Sequence, residues 1–204
     1  TGDISEYLSD LVLAGIVVRD YTWLLDSENV SKLSKYRLKD NYVRFYLKYI
    51  SPNLLRIDQG LFDNRSLASL TAYEAILGLQ FENLVVNNAM QVLNILQIKQ
   101  EEVVFMGPYF QRKTQRQRGC QIDFLIHTRF GCLYLCEIKF SKNPIKAVVV
   151  EQVKTKIDAL SLGKSGKSLS VRPVLIHVNG VADSVNEMGF FASMISFGDI
   201  LEMS

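Results

Sequence analysis

The sequence predicts an α/β protein in which a mixed sheet is flanked by helices and preceded by a small partial winged-helix region. The chain has 204 residues, of which 48% are hydrophobic, so it can bury the core of one large or two small domains. Helical and strand patterns follow one another in the order helix, three strands, helix and strand along the second two-thirds of the chain. Two apolar runs, at 120–127 and 132–140, flank a short polar turn, which is the pattern of a β-hairpin.

Composition excludes several classes of protein. Charged residues make up 22% of the chain and the formal net charge is +2, so neither disorder nor a polyanion partner follows from charge alone. Cys120, Cys132 and Cys136 form an odd set without a CxxC motif, which predicts buried reduced thiols and a cytoplasmic protein. No apolar run reaches about 18 residues, so no membrane span is expected. The chain starts without Met at the entry to a helix, and we expect a fragment of a longer protein.

Residues 1–62 are predicted to form the smaller region. Apolar residues at helical spacing predict a helix over 4–14 that ends at Gly15. Two strands, at 16–25 and 32–39, follow around a polar turn. This order of helix, strand, turn and strand is how a winged helix ends.

An aromatic-rich amphipathic helix is predicted after this hairpin. It begins after Asp40, a candidate N-cap, and ends at Pro52. A looser connection follows. We place the domain boundary there, so that the second domain spans 63–204.

The second domain is predicted to contain a helix, three strands, a helix and a strand, with further elements after them. The first helix is expected to be weakest at Gly78 and at Asn87–Asn88. The first strand is expected to stop at Gly107–Pro108. The predicted elements lie at 67–97, 101–110, 120–127, 132–140, 144–160 and 171–180.

Two carboxylates and a lysine lie within the predicted hairpin. A turn at 128–131 makes residues face each other when their numbers sum to about 260, so Asp123 faces Glu137 with β carbons about 5 Å apart. Lys139 projects from the same face as Glu137. Facing carboxylates repel, and burying them unpaired costs several kcal/mol.

A divalent cation would resolve both costs. Mg²⁺ prefers oxygen ligands and often takes only one or two carboxylates from a protein. Lys139 beside such an ion could orient or deprotonate a water, which is the outline of metal-assisted phosphodiester hydrolysis. The alternative is a half-exposed ion pair in which Lys139 neutralises Asp123 or Glu137.

Several other polar residues allow both a functional and a structural role. The loop before Asp123 could grip phosphates near a metal or could simply be solvated; its basic residues are Arg112, Lys113, Arg116 and Arg118. A solvated helix face is the better reading for Lys142, Lys146, Lys154 and Lys156. His127 and His177 lack further ligands at zinc spacing, so partly buried, hydrogen-bonded histidines are expected. Residues 162–168 do not have Walker A spacing and are predicted to be a flexible linker, so no ATP site is expected.

The motif and the element order together resemble the PD-(D/E)XK nuclease superfamily, whose restriction-endonuclease-like core has the order α-β-β-β-α-β. The motif residues here are Asp123 and then Glu137-Ile138-Lys139, and the run Gly78-Leu79-Gln80-Phe81-Glu82 is similar to the family's first motif. The resemblance covers residues 67 to about 180.

The resemblance implies roles for these residues. Asp123 and Glu137 would hold Mg²⁺ or Mn²⁺, with the Ile138 carbonyl as a further ligand. Lys139 would position or activate the water, and Glu82 would join the metal shell directly or through water. The chain departs from the usual motif because Gln121-Ile122 stands where a Pro is common. It also departs in the Gln-x-x-x-Tyr pattern, where Gln152 is present but position 156 is Lys, so Gln152 is a weaker candidate.

Nearly the whole chain resembles the C-terminal portion of archaeal-type P-loop ATPases of the AAA family. The resemblance is carried by residues 36–53, Gly60 and residues 78–83, and residues 1–20 resemble the later part of their winged helix. It implies an upstream ATPase domain as a partner. The helix over 4–14 carries Glu6 and Asp10 and no Lys or Arg, which argues against reading of a DNA groove by this helix.

Two functions follow as hypotheses. The first is a Mg²⁺-dependent nuclease-like module that acts on DNA and is attached to the ATPase. The second is a catalytically inactive DNA- or protein-binding module that regulates the ATPase. Convergence of Asp123, Glu137 and Lys139 in one cleft favours the first, and a salt bridge closed off from solvent favours the second.

Overall fold

Two sheets organise the part of the chain that the computed structural model describes. One sheet has two strands, and the other has five. Within the described ranges, no helix is both long and apolar enough to cross a membrane. The described residues are 3–62, 67–115, 117–160 and 169–202, of which the side chain of Ala68 is left aside.

The N-terminal region has the predicted order of helix, strand and strand. Helix α1 spans Ile4–Leu13, and its first turn is capped by Asp3, whose side chain accepts from the Ser5 N–H. Gly15, with φ +72°, lets the chain leave the helix in a left-handed conformation. Strands β1 (Val17–Trp23) and β2 (Val30–Leu38) form an antiparallel hairpin.

The aromatic segment after the hairpin is helical for longer than predicted. Asp40 caps helix α2, and its Oδ1 accepts from the Val43 N–H at 2.9 Å. The prediction that Pro52 ends the helix is wrong, because Pro52 lies in the first turn of a 3-10 segment, where its missing N–H costs nothing. The successive elements are α2 (Asn41–Phe45), a π-helical turn (Tyr46–Ile50), a 3-10 turn (Ser51–Asn53) and α3 (Leu54–Asp58).

The second region contains the predicted order of helix, three strands, helix and strand. The long first helix is interrupted at Asn88, one of the expected weak points. The elements are α4 (Tyr73–Asn87), α5 (Ala89–Ile95), β3 (Val103–Gln111), β4 (Cys120–Thr128), β5 (Cys132–Lys139), α6 (Val148–Ala159), β6 (Ser170–His177), α7 (Asp183–Glu187), β7 (Ser193–Ser196) and α8 (Phe197–Glu202).

The five-stranded sheet is mixed and has the order β3-β4-β5-β6-β7. The β3–β4 and β4–β5 pairs are antiparallel, whereas β5–β6 and β6–β7 are parallel, with α6 in the crossover between β5 and β6. Each face buries an apolar cluster. Val149, Val150 and Val153 of α6 pack on one face, which we call the α6 face. Residues of α4, α5 and α8 pack on the other face. The predicted mixed α/β architecture is therefore confirmed.

The sequence predicted that strand β3 would stop at Gly107–Pro108, but the strand continues through these residues to Gln111. Gly107 pairs with Leu125 and Tyr109 pairs with Ile122, so β4 carries one extra residue opposite Pro108. Pro108 cannot donate to a ladder, but β3 is an edge strand and a bulge absorbs the missing hydrogen bond. The bulge turns both Ile122 and the neighbouring Asp123 toward the α6 face, where Ile122 joins the core.

Helix α6 begins later than the predicted start near Pro144. Ile145 forms a parallel bridge with Val181, in which its N–H donates to the Gly180 carbonyl at 3.1 Å and its carbonyl accepts from the Ala182 N–H at 2.9 Å. These hydrogen bonds hold the segment extended, so the helix starts only at Val148.

The N-terminal hairpin shares a core with the larger sheet. The Trp23 ring stacks on Phe105 at 5.3 Å between ring centroids and meets Tyr109 edge-on at 5.3 Å. The Phe110 N–H donates to Oγ1 of Thr22 at 3.3 Å. The hairpin is therefore packed against β3, while the predicted domain boundary at residue 62 stays a prediction.

Candidate functional site

The hairpin of β4 and β5 has the register that the sequence predicts. The paired residues run from His127–Leu133 to Phe124–Cys136, and the two numbers in each pair sum to 260. Asp123 and Glu137 come directly after the last pair. Oδ2 of Asp123 accepts from the Ile138 N–H at 3.0 Å. The side chain thus pairs with a backbone N–H just beyond the last paired residues of the two strands.

Four charged side chains meet at this end of the hairpin. Nζ of Lys156, from α6, lies 3.4 Å from Oδ1 of Asp123 and 2.5 Å from Oε2 of Glu137. Nζ of Lys139 lies 2.8 Å from Oε1 of Glu137. We call Asp123, Glu137, Lys139 and Lys156 the carboxylate–lysine cluster. It contains the three residues of the predicted motif together with a lysine that the motif does not include.

The solvent exposure of the side chains increases across the cluster from Glu137 to Lys139. The Glu137 side chain is 1% exposed, those of Asp123 and Lys156 are 14% and 23% exposed, and that of Lys139 is 37% exposed. Lys139 also lines a surface cavity together with Gln152. The cluster is therefore a network of ion pairs, but solvent reaches it through Lys139.

Burial and mutual repulsion shape the ionisation of the cluster. Burial raises the pKa of the Asp123 carboxyl, and the Glu137 carboxylate raises it further, against the lowering effect of Lys156 and the Ile138 N–H. Burial lowers the pKa of Lys156, but its attraction to Asp123 and Glu137 outweighs burial and raises the pKa above its ordinary value. The two carboxylates therefore hold Lys156 protonated.

Lys156 is the functional candidate that sequence reasoning missed. It was predicted to lie on a solvated helix face, and the structure shows that this is wrong. Val149, Val153, Lys156 and Leu160 follow each other at helical spacing, so they share the buried stripe of α6. That spacing is present in the sequence and could have indicated that Lys156 faces the sheet.

Glu82 lies on α4 at the edge of the same site. It is half-buried and lines a cavity of about 300 Å³ to which Asp123 also contributes. Burial raises the pKa of Glu82, and the Asp123 carboxylate raises it further. Among the described residues, no three His, Cys, Asp or Glu side chains are close enough to hold one metal ion. The role of Glu82 in a metal shell, directly or through water, stays a prediction.

The basic loop between β3 and β4 is exposed. Arg112, Lys113 and Arg118 all reach solvent, and the backbone carbonyl of Arg118 accepts from Nε2 of Gln111 at 2.7 Å. Arg116 lies outside the described residues, as does the predicted linker at 162–168. Whether the loop binds phosphate stays a prediction.

The histidines and cysteines lie in or beside the core. His127 is fully buried on β4, and Nδ1 of His177 accepts from the Gly180 N–H at 3.1 Å. Burial lowers the pKa of His177. Cys120, Cys132 and Cys136 are all free thiols, and burial raises the pKa of Cys120 to about 11, which disfavours a reactive thiolate.

Comparisons with known proteins give partial likenesses. No family model matches the chain. An uncharacterized protein of Methanocaldococcus jannaschii is 36% identical over 80 residues, which are 39% of this chain and 17% of that protein.

Two solved structures are similar at low identity. A repair endonuclease from Pyrococcus abyssi matches 55% of this chain and 42% of its own, with 15% identity and a TM-score of 0.34. Protein VC1899 from Vibrio cholerae matches 100% of this chain and 41% of its own, with 12% identity and a TM-score of 0.44. The chain thus spans less than half of each of these proteins. Both scores are too low to carry an argument about function.

Proposed function

We propose that the carboxylate–lysine cluster is the centre of a metal-dependent nuclease-like domain that hydrolyses phosphodiesters of DNA. The observation that supports this is the convergence of Asp123, Glu137 and Lys139 at the open end of one hairpin. Burying two carboxylates side by side costs free energy of hydration. Such arrangements are found preferentially at functional sites.

The donor atoms of the cluster suit Mg²⁺ or Mn²⁺. Asp123 and Glu137 offer hard oxygen ligands, and Mg²⁺ commonly takes two carboxylates and completes its shell with water and substrate phosphate. Glu82 would contribute through water, because it does not join a three-ligand group. When bound, such an ion supplies an activated water and neutralises charge on the phosphate.

The chain's own residues would orient the reacting groups. The Ile138 N–H fixes Asp123 by a hydrogen bond of 3.0 Å. Lys156 holds Asp123 and Glu137 on one side of the site. Lys139, the most exposed member, can donate to a water or to a phosphate oxygen that enters from solvent. We also propose that the domain is attached to an upstream ATPase, which rests on the sequence resemblance.

One observation favours a second candidate, a non-catalytic DNA- or protein-binding module that regulates the ATPase. Two ammonium groups already contact the carboxylates of Asp123 and Glu137, so the cluster is neutral without a metal. Such a balanced network can be purely structural.

Titration calorimetry with Mg²⁺ and with Mn²⁺ separates the two candidates. The nuclease proposal expects the wild-type chain to bind an ion and Glu137→Ala to lose this binding. Glu151→Ala is the matched control, because Glu151 lies on α6 with a side chain 67% exposed and pairs with Lys154 away from the cluster. Asp123→Asn, which keeps the side-chain shape, tests the same loss if Glu137→Ala does not fold.

A wild-type chain that binds no metal up to millimolar concentration would refute the metal-dependent mechanism and favour the regulatory module. If metal binds, cleavage of linear DNA by the wild type and by Lys139→Met follows. We expect Lys139→Met to retain metal binding and to lose hydrolysis.

A further inference from the structure

A groove runs from the candidate site to the basic loop, between the N-terminal hairpin and the β3–β4 pair. It consists of two cavities of about 300 Å³ and about 450 Å³. Lys35, Phe110 and Gln121 line both cavities, so the two cavities lie side by side. Asp123 lies at one end of the groove and Arg112 lies at the other. We call this feature the hairpin groove.

Lys35 of β2 stands at the junction of the two cavities. Its Nζ donates to Oε1 of Gln121 at 3.0 Å and lies 4.6 Å from the centre of the Phe110 ring. Within the described residues, no carboxylate forms an ion pair with Lys35. Its ammonium group is therefore held in place by neutral partners and keeps its charge available for an anion.

The groove has a charge-balanced end and a basic end. The cavity lined by Asp123 and Glu82 has three acidic and three basic residues in its lining, with these two among the acidic ones. The charged residues that line the other cavity are Lys35 and Arg112, both basic. Gln121, which contacts Lys35, is two residues from Asp123 on β4, which corresponds to about 7 Å along the strand. A polyanion with one phosphate at the cluster would thus have a neighbouring phosphate near Lys35.

The walls of the groove are tied together. At the Asp123 end, Arg37 of β2 contacts the side chain of Asn83 on α4, and both residues line that cavity. Phe110 is buried, so its ring is not a platform on which bases can stack. Lys35 and Arg112 are exposed, and their charged donor groups suit phosphate oxygens.

We propose that the hairpin groove binds the sugar–phosphate backbone of a single nucleic-acid strand, with Lys35 and Arg112 contacting phosphates next to the carboxylate–lysine cluster. This inference rests on the proposed function for the choice of a nucleic acid. It assigns substrate binding to the face of the N-terminal hairpin, and not to α1.

The test is the affinity for a fluorescein-labelled single-stranded DNA of about 20 nucleotides, measured by anisotropy in EDTA. Lys35→Gln and Arg112→Gln are each expected to weaken binding about five- to tenfold. Each should also lower the slope of log affinity against log salt by about 0.7, the value for one phosphate contact on a single strand. Lys32→Gln is the matched control, since Lys32 is an exposed lysine of the same strand that does not line the groove.

Three results would overturn the inference. The first is wild-type affinity in Lys35→Gln, the second is an equal loss in Lys32→Gln, and the third is a loss confined to the duplex of the same sequence. Thermal melting checks that the variants fold.

EDTA separates this test from the proposed function, because it removes divalent metal ions and leaves binding of DNA as the only quantity measured. If calorimetry finds no metal but Lys35→Gln loses DNA affinity, the hydrolytic proposal fails and the groove stands. If metal binds and DNA affinity is unchanged, the groove fails alone.

Discussion

The two sides of α6 carry lysine–glutamate pairs of the same chemistry in opposite surroundings. On the solvent side, Lys154 lies 2.8 Å from Glu151, and the two side chains are 47% and 67% exposed. On the sheet side, Lys156 lies 2.5 Å from Glu137, and the side chains are 23% and 1% exposed. The lysines are two residues apart in sequence, but helical geometry points one to water and the other to the sheet.

The difference shows that the surroundings of an ion pair decide what it does. An exposed pair is screened by water and contributes between 0 and about 1 kcal/mol. In a buried pair the loss of hydration offsets most of the attraction, so the pair adds little net stability, but removing one partner leaves a charge without compensation. Removing one partner of the sheet-side pair is therefore expected to cost more stability, and its Glu137 carboxylate is also one of the two suited to a metal.

The largest expected effect is that of Lys156→Met. This change leaves Asp123 and Glu137 facing each other with only Lys139 as a partner, so we expect the free energy of unfolding to fall by about 3 kcal/mol in urea denaturation at pH 7. If the nuclease proposal holds, millimolar Mg²⁺ should restore part of this loss, because an ion that binds only the folded state stabilises it.

The same substitution has a consequence at high pH. The pKa of Lys156 is raised in the folded state, so its stabilisation is fully present below the ordinary value of 10.5 and is lost as pH rises through the folded pKa. The wild type should therefore lose more stability above about pH 10.5 than Lys156→Met does. Parallel pH profiles for the two proteins would contradict the contact between Lys156 and the carboxylates.

A smaller loss is expected for Lys139→Met. Lys139 is partly exposed, and Lys156 still compensates Glu137 after the change, so we expect a loss of about 1 kcal/mol in the free energy of unfolding. Thermal and urea denaturation measure it. A loss as large as that of Lys156→Met would show that the two lysines are equivalent, against the graded burial of the cluster.

Asp123→Asn is expected to have a small effect of opposite sign. Burial and Glu137 raise the pKa of Asp123 in the folded state, so its contribution to stability is full below the unfolded pKa of about 3.9 and is lost as pH rises through the folded pKa. The neutral amide removes this penalty and can still accept from the Ile138 N–H. We expect stability at pH 7 to rise by less than about 1 kcal/mol.

The pH profile checks this prediction. The stability difference between Asp123→Asn and the wild type should grow from about pH 4 upward and then level off. Stability that falls at neutral pH in the variant would mean that the charge of Asp123 is needed by Lys156. Calorimetry on the same variant should show loss of metal binding, which would separate the ligand role of Asp123 from its structural role.

The smallest effect is expected for Lys154→Met, the control on the solvent side of α6. Its pair with Glu151 is exposed, so the free energy of unfolding should change by less than about 0.5 kcal/mol, and metal binding should stay as in the wild type. A loss above about 1 kcal/mol would mean that exposure does not distinguish the two sides of this helix.

Much of the hairpin was predictable because its determinants are local. The positions of the two apolar runs and of the turn at 128–131 set the register, and the structure confirms the pairs that the register predicts. The strand through Gly107–Pro108 was not predicted, because a bulge in the neighbouring strand β4 absorbs the proline, and residues around Pro108 alone do not reveal that neighbour.

The candidate site also contains residues that local sequence patterns predict and residues that only long-range packing places. Asp123, Glu137 and Lys139 lie on two adjacent strands, so strand alternation alone brings them to one face. Lys156 reaches them from a helix 17 residues further on than Lys139, and Lys35 reaches the groove from the N-terminal hairpin. The position of Lys156 depends on how α6 packs on the sheet, and the position of Lys35 depends on how the N-terminal hairpin packs on β3.

Local sequence patterns set the order of the elements, the register of the β4–β5 hairpin and the face that its carboxylates share. Each of these follows from periodicity and turn position, which act over a few neighbouring residues. Long-range packing, by contrast, brings Lys156 to the carboxylates and Lys35 to the groove. These outcomes depend on contacts between distant segments, which side-chain burial and packing select among the many arrangements that the same local pattern allows.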